Sequence, residues 1–232
     1  MKFRFKDFII DLFFPNRCPL CGRVIRWDFP YCEKCYDELP WTGKELCHGC
    51  GNDIVQCVCD KENFHFIRCY AAFYYMDVAK SAIIYLKRTN NRIFPNIFAE
   101  KIYDDMCEDP YKFKADFIVP VPMSKMKLSR RGYNQAEVLA KSLSEVLKVP
   151  LKNDALVKHE SLIAQHKLSA NMRRNNVRHL YEKGNVDGIE GKVVILCDDV
   201  MTTGSTLNQC AGLLTEMGAA AVIIAVAATT LK

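Results

Sequence analysis

The chain has 232 residues, half of them hydrophobic, and a formal net charge of only +5. That is enough apolar material for a proper core, and the length suits one large domain or a medium domain with a small module. No stretch approaches the roughly 20 consecutive apolar residues that a membrane-spanning helix needs, so an integral membrane protein is not expected.

The first segment, residues 1–14, reads MKFRFKDFIIDLFF. Asp7 and Asp11 interrupt it and no small-residue cleavage site follows, so it does not read as a signal peptide. Phe3, Phe5, Phe8, Ile9, Leu12 and Phe13 form a greasy face expected to dock on the protein body. Peripheral membrane contact is the alternative. A cytosolic location follows, with the inner face of the membrane as a possible site of action.

Residues 15–62 are short of periodic segments and rich in cysteine. Eight of the chain's twelve cysteines lie here: Cys18 and Cys21, Cys32 and Cys35, Cys47 and Cys50, Cys57 and Cys59. In a cytosolic chain, disulfides are rare and dense cysteines suggest metal. Thiolates two or three residues apart on a tight knuckle point at one ion, and zinc takes four of them tetrahedrally. Eight thiolates make two closed, structural sites, so about two zinc ions are expected. An iron–sulfur cluster is the competing occupant. Sequential pairing would give Cys18/Cys21/Cys32/Cys35 and Cys47/Cys50/Cys57/Cys59, while interleaved pairing stays open. His48 is surplus once eight thiolates are in place. Such a small module buries little core, so metal supplies most of its folding energy. Cys69, Cys107, Cys197 and Cys210 are isolated and expected as small core residues.

A second domain is expected over 66–232. Residues 67–75 suggest a strand, and 77–87 a helix with Asp77 as N-cap. Residues 96–106 suggest another helix, and 117–122 a short strand stopped by prolines. Residues 134–148 are helical, with Asn134 and Glu137 at capping-box spacing and Ala136, Leu139, Ala140, Leu143 and Leu147 along one face. Residues 158–179 are polar and basic, either a mobile loop over a site or a surface excursion. Residues 192–197 form a strand, 205–218 a helix closed by Gly218, and 220–229 a last strand. Alternating strands and helices, with continuous apolar runs such as VVIL, predict an α/β fold with a parallel sheet.

Charge is uneven along the chain. Residues 1–60 carry eight Lys/Arg against nine Asp/Glu, and residues 121–192 carry fourteen against seven. The basic half suits an anionic ligand, or a solvated surface. It leads into VVILCDDVMTTGST at 193–206, which delivers two carboxylates, Asp198 and Asp199, to the edge where parallel sheets bind ligands. The turn Thr202, Thr203, Gly204, Ser205, Thr206 then opens a helix. Unpaired amides at a helix start bind anions, Gly204 allows close approach, and the hydroxyls add donors. The turn would hold a phosphate. The carboxylates would hold vicinal sugar hydroxyls or magnesium. A phosphorylated ribose satisfies both. The P-loop and dinucleotide fingerprints are absent.

The string D-D-V-x-T-T-G-x-T after an apolar strand resembles the phosphoribosyl pyrophosphate (PRPP) motif of type I phosphoribosyltransferases. VPVPMSKMKLSRRGYNQAEVLA at 119–140 and QHKLSANMRRNNV at 165–177 resemble signatures of the ComF competence family, and the paired knuckles match that family's double zinc ribbon. The resemblance covers essentially the whole chain. It implies a type I phosphoribosyltransferase-like domain behind a zinc-ribbon module. Asp198 and Asp199 would hold the ribose hydroxyls as the candidate catalytic pair, and Thr202 to Thr206 would cradle the phosphate. Arg130, Arg131 and Lys87 would meet pyrophosphate, and Gln165, Arg173 and Asn176 would lie on a flexible closing loop. Magnesium would accompany PRPP.

One departure stands out. Purine-salvage members of the superfamily carry an aspartate where this chain has Thr202. The acceptor must be handled otherwise, or there is none. The resemblance therefore implies binding of PRPP, with single-stranded DNA and the DNA-uptake machinery of natural transformation as partners. The alternative is an active phosphoribosyltransferase with an unknown acceptor in housekeeping metabolism or DNA repair. Tyr133 and Tyr181 are the aromatic candidates for base stacking near the basic region.

Overall fold

The computed structural model describes residues 15–26, 29–43, 46–47, 57, 59, 64–87, 93–160 and 180–230. A short helix α1 (Glu33–Asp37) lies in the cysteine-rich part. Then follow β1 (Arg68–Tyr74), α2 (Asp77–Leu86), α3 (Ile93–Glu108) and β2 (Phe117–Pro120). After these come α4 (Lys125–Arg131), α5 (Gln135–Leu147), β3 (Leu156–Lys158) and β4 (Tyr181–Lys183). The chain closes with β5 (Val193–Met201), α6 (Ser205–Glu216) and β6 (Ala221–Thr229).

Four strands form one parallel sheet in the order β1-β6-β5-β2, and β3 and β4 form a separate antiparallel ribbon. Successive side chains of a strand point to opposite faces, so the apolar runs of β5 and β6 feed two cores. Ile195, Cys197, Ile223 and Ala225 pack with Ile83, Ile102, Leu139 and Leu143 from α2, α3 and α5. Val194, Leu196, Val222 and Ile224 pack with Leu207, Cys210 and Leu214 of α6, joined by Leu156 and Tyr181 of the ribbon. Both faces are covered, which is the α/β arrangement expected from the continuous apolar runs.

The cysteine-rich part covers the outer edge of β1. Trp41 bridges to Phe73, Thr42 N donates to Ala72 O at 3.1 Å, and Tyr74 N donates to Pro40 O at 2.8 Å. The Trp41 and Phe73 rings lie 4.9 Å apart, and Phe73 lies 5.6 Å from Phe94. Leu20 and Leu39 join the same core. An uncovered edge strand is a template for aggregation, and this strap closes it.

Several expectations need correction. The strand expected over 192–197 runs on through both carboxylates to Met201, because apolar β6 offers a partner as far as Thr229. Asp77 is the first helical residue and not the N-cap, a position held by extended Met76, and Asp77 has φ 45°. Asn134 does cap α5, accepting from Ala136 N at 3.2 Å. Glu137, however, accepts from Asn153 Nδ2 at 3.0 Å and does not return to the cap. Cys69, Cys197 and Cys210 are buried, but Cys107 is exposed on α3. Helix α4 and the β3–β4 ribbon were not anticipated. Among the described residues no helix is long and apolar enough to cross a membrane.

Candidate functional site

The end of β2 creates the site. β2 pairs with β5 only as far as Pro120 opposite Cys197, and Val121 N makes one further bond to Cys197 O at 2.8 Å. Pro122 has no N–H to continue the ladder. From Asp198 onward β5 is therefore paired to β6 alone, and its other flank faces a cleft of about 260 Å³. Asn134 fixes the far wall, donating Nδ2 to Val121 O at 2.9 Å while it caps α5.

Asp198 and Asp199 line this cleft with Lys87, Lys127, Arg131 and Lys158. Lys87, the C-cap of α2, places Nζ 2.9 Å from Asp199 Oδ2. Asp198 Oδ1 accepts from the Asp199 amide at 2.8 Å. Burial, then the neighbouring Asp199 charge, push the Asp198 carboxyl up to about 7. The Asp199 amide, Lys158 and Lys87 act against that rise. Four cations line the cleft with two carboxylates, an excess of positive charge that favours an anion.

A smaller hollow of about 60 Å³ adjoins it, formed by Asp198 and the turn 200–207. Asp198 and Thr206 line both. The N-cap of α6 is Gly204, at φ 74°, and it offers no side-chain cap to the helix amides. Thr203 Oγ1 lies 2.9 Å from Ser205 Oγ. The Ser205 amide donates to Thr203 Oγ1 at 3.4 Å, and the positive end of the helix with these hydroxyls has the chemistry to accept an anion.

The structure thus brings together Lys87, Arg131, Asp198, Asp199 and the Thr202–Thr206 turn. Arg131 donates to Gln135 Oε1 at 2.8 Å. Arg130 is exposed on α4 and does not line the cleft. Gln165, Arg173, Asn176, Cys50 and His48 lie outside the described residues, as does the segment 1–14. Lys127, Gln135, Lys158 and Tyr181 are additional lining residues. Lys158 and Tyr181 sit on strands of three residues, too short to leave a periodicity. Tyr181 is buried, with its hydroxyl taken by Lys158. It is not a free stacking platform, and Tyr133 is half-buried with its hydroxyl donating to Leu86 O. Another cavity, of about 220 Å³, lies by the amino end of β1. Of its charged residues, Arg68 pairs with Asp109, which also accepts from Tyr70, and Asp105 pairs with Lys101.

The cysteines gather in two groups, Cys18 with Cys21, Cys32 and Cys35, and Cys47 with Cys57 and Cys59. Within each, all sulfurs lie within 4.8 Å of one another. This follows the sequential pairing. Cys21 and Cys32 Sγ are 3.8 Å apart and Cys47 and Cys59 Sγ 3.6 Å. Ligands at about 2.3 Å from one tetrahedral zinc stand about 3.8 Å apart, so the first group fits a single ion. Burial and neighbouring thiols push Cys32 up to about 11 and Cys35 higher. Such crowding suits thiolates that share a cation.

Comparison with known proteins agrees with these features. Residues 97–231 match the phosphoribosyl transferase domain and residues 9–70 the double zinc ribbon domain. Competence protein F of Haemophilus influenzae is 30% identical over 205 residues, covering 87% of this chain and 85% of that protein. Competence protein ComFC of Bacillus subtilis is 26% identical, covering 85% and 83%. DNA utilization protein YhgH of Escherichia coli is 36% identical over 107 residues, which is 46% of each chain.

Proposed function

This chain belongs to the ComF competence family, with a zinc ribbon and a phosphoribosyltransferase domain, and from that premise we propose that its cleft binds PRPP with magnesium. The observation that carries the reading is the continuity of the two hollows. Asp198 and Asp199 stand at the open flank of β5, and the start of α6 follows within a few residues. A ribose hydroxyl pair on the carboxylates would place its 5-phosphate on Thr202 to Thr206. The diphosphate would then extend toward Lys87 and Arg131, with Arg130 at the rim. Asp198 and Asp199, with the ligand's phosphate oxygens, would suit magnesium, which prefers oxygen ligands and would neutralise charge on the departing pyrophosphate.

In the enzymatic form of this reading, the bond from ribose C1 to pyrophosphate oxygen breaks and the acceptor atom bonds C1. Pyrophosphate leaves with the electron pair, and the acceptor proton passes to pyrophosphate or solvent. No protein nucleophile is needed. Fixed cations aimed at the leaving group supply the stabilisation. Thr202 is exposed and neutral, so it supplies no carboxylate to an incoming base.

A second reading, single-stranded DNA binding in DNA uptake, rests on the competence and DNA-utilisation relatives and on α4. That helix buries no residue and carries Lys125, Lys127, Arg130 and Arg131 beside the cleft. Zinc in both cysteine groups, and action at the inner face of the cytoplasmic membrane, belong to the same proposal. The test is isothermal titration with PRPP and magnesium, followed by a search for pyrophosphate release with candidate acceptors, single-stranded DNA among them. Heat of binding supports the ligand, release identifies turnover, and no heat rejects the PRPP site.

A further inference from the structure

The ribbon contributes a residue to the cleft that the PRPP motif does not contain. Lys158 ends β3 and is paired across the ribbon with Tyr181, the first residue of β4. Directly opposed residues of an antiparallel pair place their side chains on one face. Both line the cleft. Lys158 Nζ donates to Tyr181 Oη at 2.5 Å, and Thr206, the last residue of the phosphate turn, lines the same cleft. Tyr181 is 6% exposed and packs in the α6-side core, so the hydroxyl is fixed from below. Lys158 is half-buried, and its ammonium also acts on Asp198.

The two cations nearest the carboxylates therefore lie on different sides. Lys87 arrives from α2 and pairs with Asp199. Lys158 arrives from the ribbon and lines the cleft together with Thr206. A lysine ammonium on a four-carbon stem swings easily between acceptors. An anion held by Thr206 would lie within its reach, and a charge-assisted bond to phosphate oxygen is stronger than one to a neutral phenol.

Resting on the ribose-phosphate reading above, we propose that Lys158 is a ligand-binding residue for the phosphate seated on the α6 turn, and that Tyr181 positions it there. Lys158 exchanges Tyr181 Oη for a phosphate oxygen on binding, while Lys87 serves the diphosphate end. The site thus divides its lysines between the two anionic ends of one ligand.

Titration of the full chain with ribose 5-phosphate, and separately with magnesium pyrophosphate, tests this. Lys158→Met is expected to weaken ribose 5-phosphate about 10- to 100-fold and to leave pyrophosphate within about twofold. Tyr181→Phe keeps the charge but loses the anchor, and a loss of about 3- to 10-fold is expected for ribose 5-phosphate alone. Lys158→Arg restores part of the affinity, which a purely structural lysine would not explain. Should Lys158→Met fail to fold, Tyr181→Phe and Lys158→Arg carry the comparison. Ribose 5-phosphate affinity unchanged in the variants overturns the inference alone, as does an equal loss for both ligands, the mark of a general field. No ribose 5-phosphate binding by the wild type overturns it together with the ribose-phosphate reading.

Discussion

Lys87 Nζ lies 2.9 Å from Asp199 Oδ2, joining the end of α2 to the open flank of β5 across the mouth of the cleft. The two side chains are 30% and 20% exposed, so the pair is screened and contributes little to stability, about 0–1 kcal/mol. On the PRPP reading proposed above, its significance is for the ligand: the lysine neutralises a carboxylate in the anion's absence and would turn to meet the diphosphate in its presence.

Lys87→Met is accordingly expected to shift the melting temperature very little. The same change should weaken magnesium pyrophosphate about 10- to 100-fold. Calorimetry and a thermal melt on the same sample check both halves. A large loss of stability with unchanged affinity would make Lys87 a structural residue.

Asp198 gives a pH signature. Its carboxyl is raised to about 7 by burial and then by Asp199, against about 3.9 in an unfolded chain. The folded state therefore holds the proton more tightly. The stability this contributes is complete below about pH 4, falls as pH rises, and is gone above about pH 7. Asp198→Asn removes the slope. Relative to wild type, the ligand-free variant should gain stability between pH 4 and pH 7 and hold that gain at pH 8. Melts across this range check it, and a variant that tracks the wild type throughout would contradict the cause assigned.

The cysteine groups predict about two zinc ions per chain by elemental analysis. Because Leu20, Leu39 and Trp41 pack against the core beside β1, stripping the metal should destabilise the whole fold and not the ribbon alone. Chelation is expected to lower the melting temperature on the order of 10 °C. One ion per chain, or iron, would overturn the assignment.

The fold was more legible than the site, for physical reasons. Buried strands such as β5 and β6 announce themselves by apolar runs, and α5 by its spaced Leu139, Ala140 and Leu143. Helix α4 buries nothing, so it leaves no periodic trace, only Ser124 before it and Gly132, at φ 81°, after it. The carboxylates looked like a strand's end because charge usually marks one. The backbone continues to Met201 since pairing with β6 does not depend on side-chain polarity. Lys158 and Tyr181 meet only through the ribbon, 23 residues apart in sequence. No local pattern connects them. Asp198, Asp199 and the Thr202–Thr206 turn were readable because the chemistry and the backbone conformation lie in one contiguous stretch.

If DNA engages the basic rim, binding of single-stranded DNA should fall steeply with salt, by about 0.7 in log–log slope per phosphate neutralised. Lys125→Ala with Arg130→Ala should flatten that slope by about 1.4. A slope unaffected by the double change would move the DNA contact elsewhere.

The most direct measurement of the central claim is the melting temperature with and without PRPP and magnesium, for the wild type and for Asp198→Asn with Asp199→Asn. A ligand that binds only the folded state stabilises it by about 2.7 kcal/mol at a hundredfold excess over Kd. The wild type is therefore expected to shift upward by about 5–10 °C, and the double variant not at all. A shift of equal size in both would show that the carboxylates on the open flank of β5 are not where PRPP is held.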